Sequence, residues 1–498
     1  MRPFVENFPF FSIFLTMVGG ILISVVHDGR KAKWATIGIA AVVAVLSAAV
    51  LVYTVGEHVS FSYAMGRFAA PFGNEIKAGP LQAALAGSFS AVTALSILGG
   101  SRDLFHDVLP GKQSLYFVMV NLSLAALLAL TYTNDLFTGY VFIEISTIAA
   151  CALVMARDTG DNMIATIRYL FLSLMGSGLF LIGVALLYAV TGHLLMPQVH
   201  ETVLALAEGG RYALPMTVII GLVTVGLGVK SAMFPFHRWL PDAHGSATTA
   251  SSAILSGLVL KGPVVLLLTL YLRVFTLERI NASHISDVVL VFGLLGMVFG
   301  SVGAMHQTHI KRMLAYSSVA QLGYIFMGFG LGTEAGIVAS CLHLLVHAFA
   351  KPMLFCCAGK LGDAAGHHKN LAKLKGSAYR APLAGLGFTV GALSMIGIPL
   401  LGGFASKLYF ATASLMTSDR MAMTLLVLAL STVLNALYYV PATLAIWSKP
   451  EKAAEALPPM ERDWGFTVSV LTCIAAALVL GIFYQPITAV LEAGIRLM

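Results

Sequence analysis

Predominantly apolar runs of about 18 residues or more recur along the whole of this sequence; IGIAAVVAVLSAAVLVY, residues 37–53, lies in one of them. In hydrocarbon every backbone N–H and C=O must be answered within the protein, and about 20 apolar residues in a helix cross a core of roughly 30 Å. The chain is therefore expected to be an all-α, polytopic membrane protein. Composition agrees, since 58% of its 498 residues are hydrophobic and only 11% charged, where a soluble chain carries about 25% charged residues. Residues 7–26 read as a first span that stays in place, not as a cleaved signal.

Breaking the sequence at its polar loops gives about fourteen spans, from 7–26 to 465–490, with a lateral amphipathic segment at 195–210. The even number places both termini on one side. Loops after the odd-numbered spans hold 18 Lys and Arg, and the opposite face holds 8. The positive-inside rule then puts the odd loops in the cytoplasm and the termini on the outer, periplasmic side of a cell's inner membrane. Lys311 is counted here among the loop cations. Four of the 30 basic residues are left inside spans: Lys230, Lys261, Lys351 and Lys407.

A charge at the centre of a spanning helix costs about 2.5–3.5 kcal/mol on insertion scales, so four lysines and Glu144 need a reason. Snorkelling is the competing reading for Lys230 and Lys407, near helix ends or breaks, but it fails for the short Glu144 and for Lys261, deep in its span. Each lysine stands beside a helix breaker: Lys230 before Pro235, Lys261 before Gly262-Pro263, Lys351 before Pro352, and Lys407 after Pro399, Gly402 and Gly403. Proline removes a donor and exposes a carbonyl, which lipid tolerates only where protein or water answers it. Pro235, Pro263 and Pro399 are the expected helix breaks. Interrupted helices at matching places point to inverted repeats around an ion path. Spans 4–8 and 9–13 form two such five-helix units, with broken helices 7 and 12. The expected organisation is a three-helix segment over 1–113, a first repeat over 114–272, a second over 285–447 and a last helix over 465–498.

His343, His347 and Lys351 recur every four residues and share one helix face. Haem would need histidines on facing helices, so neither haem nor another metal is expected. The five cysteines show no C-x-x-C spacing, no G-x-G-x-x-G follows a strand, and the net charge of +7 fits basic loops better than nucleic acid. No cofactor site is expected. His237 and His244, at a helix end, read equally as interfacial or functional, and Lys351 as a carrier or as a donor to helix-end carbonyls. His367 and His368 are expected in a solvated basic loop.

Burial favours a neutral lysine and a nearby carboxylate favours the ammonium, so a buried Lys whose Glu partner moves can take up and release a proton. Glu144 and Lys230 are the expected switch pair, Lys261 the next carrier, His343 or His347 a bridge, and Lys407 the last site.

FIEIS, GVKSAMFPFHRWLPDAH, SAILSGLVLKG, HIKRMLAYSSVAQLGYI, HLLVHAFAKPMLFCCAG and GIPLLGGFASK follow one another over residues 142–407. In that order they resemble the motifs of the antiporter-like proton-translocating subunits of respiratory complex I, Mrp-type sodium/proton antiporters and membrane-bound energy-converting hydrogenases. The resemblance covers about residues 80–450. It implies a fourteen-helix fold with inverted repeats, Glu144 and Lys230 as the charge pair, Lys261 as central carrier, Lys407 after the second break, and His343, His347 and Lys351 on the polar helix 11. It also implies partner membrane subunits and a redox arm or other driving subunit, with no redox centre in this chain. Two features depart from the pattern. GSATTASS carries no proline where many members have an Ala-Pro-x-Pro-like stretch, and the sequence stops after span 14, as in shorter members such as the D-type subunit of Mrp antiporters.

The leading expectation is thus translocation of protons, or sodium/proton exchange, within a multisubunit complex. The competing readings are a stand-alone secondary transporter of a small solute or cation, and a redox membrane enzyme. A chain of protonatable groups through both halves fits a relay better than a substrate pocket, and missing cofactor ligands argue against the redox enzyme.

Overall fold

The computed structural model describes residues 2–68, 73–208, 212–449, 460 and 462–498. Eleven of the described helices are long and apolar enough to cross a membrane, and Phe8–Ile23 and Pro382–Ile396 are shorter apolar ones. The chain is an all-α, multi-pass membrane protein. Its β-structure among the described residues is a short antiparallel pair, Phe61–Ala64 with Glu75–Ala78, Phe61 opposite Ala78.

Local chemistry sets the helix ends. Asp135, Thr159, Thr248, Thr333 and Asp463 each accept a backbone N–H from the first turn of the helix that follows. Pro80, Pro110 and Pro382 open helices, where a missing N–H costs nothing. Packing sets the layers. The Thr249–Phe275 helix is buried throughout and Glu334–Ala364 nearly so, whereas Gly29–Gly56 and Met421–Ile446 are largely exposed. The exposed side chains of these outer helices are apolar, among them Val45, Val52, Leu426 and Leu444, as a lipid-facing surface requires. Two close contacts need glycine: a Cβ on Gly226 would stand 2.7 Å from the Gly176 carbonyl oxygen, and one on Gly323 2.7 Å from that of Gly293. Small residues let the helices approach where no hydrophobic drive joins them.

Both expected interruptions are present, with shifted edges. The helix expected over 214–236 ends at Lys230; the chain turns through 231–238, with a cis Phe234–Pro235 bond and Ala232 at φ 54°, and resumes at Trp239–Ser246. The helix expected over 383–413 is two, Pro382–Ile396 and Gly402–Leu415, parted by a turn that holds Pro399 and has Gly397 at φ 98°. Pro263 is a correction. It was expected as a break, but the Thr249–Phe275 helix runs through it. A π turn at Leu255–Val259 lies one turn upstream and absorbs the lost donor by widening the ladder. The amphipathic segment expected over 195–210 is a helix, Met196–Glu208. Residues 209–211, Arg211 among them, and Lys452 of the charge count lie outside the described residues.

Candidate functional site

Thr147 and Glu144 lie one turn apart on the Leu136–Val154 helix, so both reach one point. That point is the Lys230 amine, the end of a helix that stops there. Lys230 Nζ donates to Thr147 Oγ1 at 2.6 Å and stands 3.7 Å from Glu144 Oε1. The Lys230 side chain is 3% exposed and that of Glu144 22%.

Lys261 is fully buried just after the π turn. Its amine donates to the Ser256 carbonyl in that turn and lies 2.6 Å from His347 Nδ1. His347 and His343 are successive along one face of Glu334–Ala364, their ring centres 6.4 Å apart. His343 Nδ1 is 2.9 Å from Ser406 Oγ, next in sequence to Lys407. Lys407 Nζ donates to the Ile396 carbonyl at 2.6 Å and to Thr432 Oγ1 at 3.2 Å, and lies 5.0 Å from the centre of the Tyr324 ring. Ile396 ends the Pro382–Ile396 helix, so the break sets the negative end of a helix dipole and a π face against this amine. Lys261, His347, His343 and Lys407 thus make one buried file. Among the described residues, no hydrogen bond joins the Glu144–Lys230 pair directly to Lys261.

Lys351 sits beside this file. It donates to the Leu314 carbonyl at 2.9 Å and to Tyr439 Oη at 3.3 Å. Leu314 lies within the Ile310–Gly330 helix, not at a helix end. From Tyr439 a polar chain runs through Ser317 at 2.9 Å, Tyr438 at 2.8 Å, Asn435 at 2.6 Å and Tyr324 at 3.3 Å, back beneath Lys407. Sequence reading passed over these residues. Their signal was a polar stripe, with Ser317 and Tyr324 seven apart and Asn435 three before Tyr438.

Three further positions differ from expectation or decide between readings. Lys311, counted with the solvated loop cations, is 1% exposed: its helix begins at Ile310, so the amine points into the bundle. His244 is fully buried, its ring stacked on Phe355 at 4.6 Å, and among the described residues neither ring nitrogen has a hydrogen-bond partner. His237 is also buried, stacked on Phe234 at 5.5 Å, and among the described residues its Nδ1 has no hydrogen-bond partner. His244 has no surface open to water, while His237 keeps 9% of its surface accessible. His367, by contrast, is exposed, as a loop residue should be.

A helical multi-pass bundle with two interrupted helices and a buried file of amines and imidazoles defines a class of membrane protein built around charge inside the bilayer. The sequence profile of the NADH:quinone oxidoreductase/Mrp antiporter transmembrane family matches residues 133–434. The chain belongs to that family. The N-type subunit of NADH-quinone oxidoreductase from Desulforudis audaxviator (strain MP104C) is 32% identical over 465 residues, 90% of each chain. The D-type subunit of the Na(+)/H(+) antiporter from Bacillus subtilis (strain 168) is 28% identical over 407 residues, 82% of this chain and 80% of the relative. Two solved structures share the fold. A chain of the membrane-bound sulfane sulfur reductase, an archaeal respiratory membrane complex, superposes with a TM-score of 0.86 at 25% identity, covering 99% of this chain and 96% of that one. A chain of the Mrp complex from Dietzia sp. DQ12-45-1b gives 0.88 at 22% identity, over 99% and 97%.

Proposed function

We propose that this chain is a translocating membrane subunit, moving protons or exchanging sodium for protons, in a multisubunit respiratory, hydrogenase or Mrp-type complex. Other membrane subunits, and in the redox cases an electron-transferring arm, are its partners; both kinds of relative are named as subunits. The observation that carries the reading is the buried file from Lys261 through His347 and His343 to Lys407. An ammonium at Lys261 gives its proton to His347 Nδ1; the imidazolium releases the proton on Nε2. The Nε2 atoms of His347 and His343 are buried without a hydrogen-bond partner among the described residues. Leaving such a group unanswered costs about 1–3 kcal/mol, and a bound water is the natural partner that also bridges the rings. His343 passes the proton through the Ser406 hydroxyl towards the neutral Lys407 amine.

Glu144 and Lys230 serve as the switch. Closed, the carboxylate holds the ammonium; opened, the amine is free to release its proton into the file. The two interrupted helices take the fourth place in spans 4–8 and in spans 9–13, which supports two inverted five-helix repeats within fourteen spans. The charge asymmetry of the loops supports an inner-membrane location with odd loops in the cytoplasm and termini outside. The test is Lys261→Met in the whole complex reconstituted in vesicles. Proton flux should fall at least 100-fold while the complex still assembles; unchanged flux would refute the reading.

A further inference from the structure

The Pro80–Asp107 helix carries a stripe that the buried file does not use. Ala84, Ala91, Leu98 and Phe105 recur every seven residues, so they stack along one line of that helix, and each is only half-buried. A neighbouring helix stands on either side of the line. On one flank is Gly87, where a Cβ would lie 3.5 Å from Ser47 Cβ of the Gly29–Gly56 helix. On the other flank the Leu95 carbonyl accepts the Ser469 hydroxyl of the Trp464–Ile482 helix at 2.7 Å. A Cβ on Gly99 would lie 2.8 Å from that same hydroxyl oxygen. The stripe is thus the floor of an apolar seam between two helices, and the short side chains of Ala84, Ala91 and Ala94 leave it unfilled. Both walls continue into outward apolar side chains, Val45 and Leu471 among them, so the seam opens to hydrocarbon.

Its odd-loop end is cationic. Both walls begin there, at Gly29 and Trp464. Lys33 Nζ lies 4.7 Å from the centre of the Trp34 ring and 5.8 Å from that of Phe105, the last floor residue. The Arg462 guanidinium lies 3.9 Å from the centre of the Trp464 ring. Asp463 is near enough to act electrostatically on Lys33, so cations of both walls share one mouth. Arg30 and Lys31 are exposed in the same first turn as Lys33. Against these four cations stand Asp28 and Asp463, each already engaged as a helix cap, accepting the Arg30 N–H at 2.8 Å and the Phe466 N–H at 3.1 Å. Trp34 and Trp464 are 59% and 63% exposed, as indoles at a headgroup boundary are. From Phe105 up to Ala94 the helix rises about 16 Å, the depth of one leaflet of a core of roughly 30 Å.

We propose that this seam holds one phospholipid with an anionic headgroup. Its phosphate sits between Lys33 and Arg462, and one acyl chain runs along Phe105, Leu98 and Ala94. The floor is one residue wide, which suits a single hydrocarbon chain; a further helix with its side chains is about 10 Å across. The excess of positive charge at the mouth selects an anionic headgroup over a zwitterionic one. None of these residues belongs to the buried file, so the site stands apart from the proton reading.

The test places the assembled complex in phosphatidylcholine vesicles containing a trace of phosphatidylglycerol or phosphatidylcholine with a photoreactive diazirine in the acyl chain, and maps the adducts by mass spectrometry. A cation beside an anionic lipid is worth about 5-fold in occupancy. Phosphatidylglycerol should therefore label residues 91–105 and the facing walls at least 5-fold more than phosphatidylcholine does. Lys33→Gln with Arg462→Gln should bring the two lipids to equal labelling, while assembly and proton flux in phosphatidylcholine stay at wild-type levels. Lys33→Arg should keep the preference, and Ala94→Phe, which fills the floor, should remove the adducts with the cations still in place. Equal labelling of the wild type by both lipids, a preference untouched by the double variant, or an unlabelled seam filled by another subunit would each overturn the site.

Discussion

Replacing Glu144 by glutamine, Lys230 by methionine, and then both together asks whether the two residues act in one step. Charges 3.7 Å apart attract by about 4.5 kcal/mol at an effective dielectric of 20. Glu144 keeps about a fifth of its side-chain surface exposed, with 22% accessible, and solvent screening there reduces the coupling to roughly 2 kcal/mol. If translocation opens and closes this pair, that coupling enters the barrier, and 2 kcal/mol is about 30-fold in rate. Each single variant should therefore lose about 30-fold or more of the proton flux. The double variant should do no worse than the poorer single, since groups that act as a unit fail together. The assay is dye-reported acidification of vesicles, normalised to assembled complex. Losses that multiply to about 1,000-fold in the double variant would show two independent steps and refute the switch, as would a fully active single variant.

Gly397→Ala places a Cβ on a residue at φ 98° and 2.8 Å from Lys407 Cδ. The left-handed backbone alone costs roughly 1–2 kcal/mol, so thermal unfolding should fall and flux with it as Lys407 leaves the Ile396 carbonyl. Burial first, then Lys369, Lys311 and Arg312, lower the His309 imidazole from 6.5 to about 4. Between those values the unfolded chain binds a proton that the folded chain does not, so this contribution to stability is present above pH 6.5 and lost as pH falls towards 4. His309 Nδ1 also caps the next helix by accepting the Arg312 N–H at 3.4 Å; amide exchange at Arg312 should quicken over that window, and His309→Asn should keep the cap and remove the acid dependence. Tyr438→Phe takes a partner from both Asn435 and Ser317, a loss of about 1–3 kcal/mol. It should lower the unfolding temperature while proton flux persists along the histidine file; a collapse of flux at normal stability would move the route to the tyrosine chain.

Apolar run length alone gave the multi-pass helical class, because backbone in hydrocarbon has few ways to be satisfied. Cost alone singled out Glu144, Lys230, Lys261, Lys351 and Lys407, since charge does not survive in lipid without a partner. One partnership, Glu144 with Lys230, was expected and is found at 3.7 Å; the other contacts were not legible. Lys230 meets Thr147 and Glu144, but Lys261 meets His347, and Lys407 meets Ile396 and Thr432; hydropathy carries no record of which helix face turns to which neighbour. Breaks were legible at Pro235 and Pro399, where proline stands with a turn, and misleading at Pro263, where a π turn upstream keeps the helix whole. Lys311 reads as one more loop cation and His244 as a helix-end residue until the helices are packed. Only then are the Lys311 amine and the His244 imidazole found buried, because burial and adjacency belong to the packed bundle and to no single span.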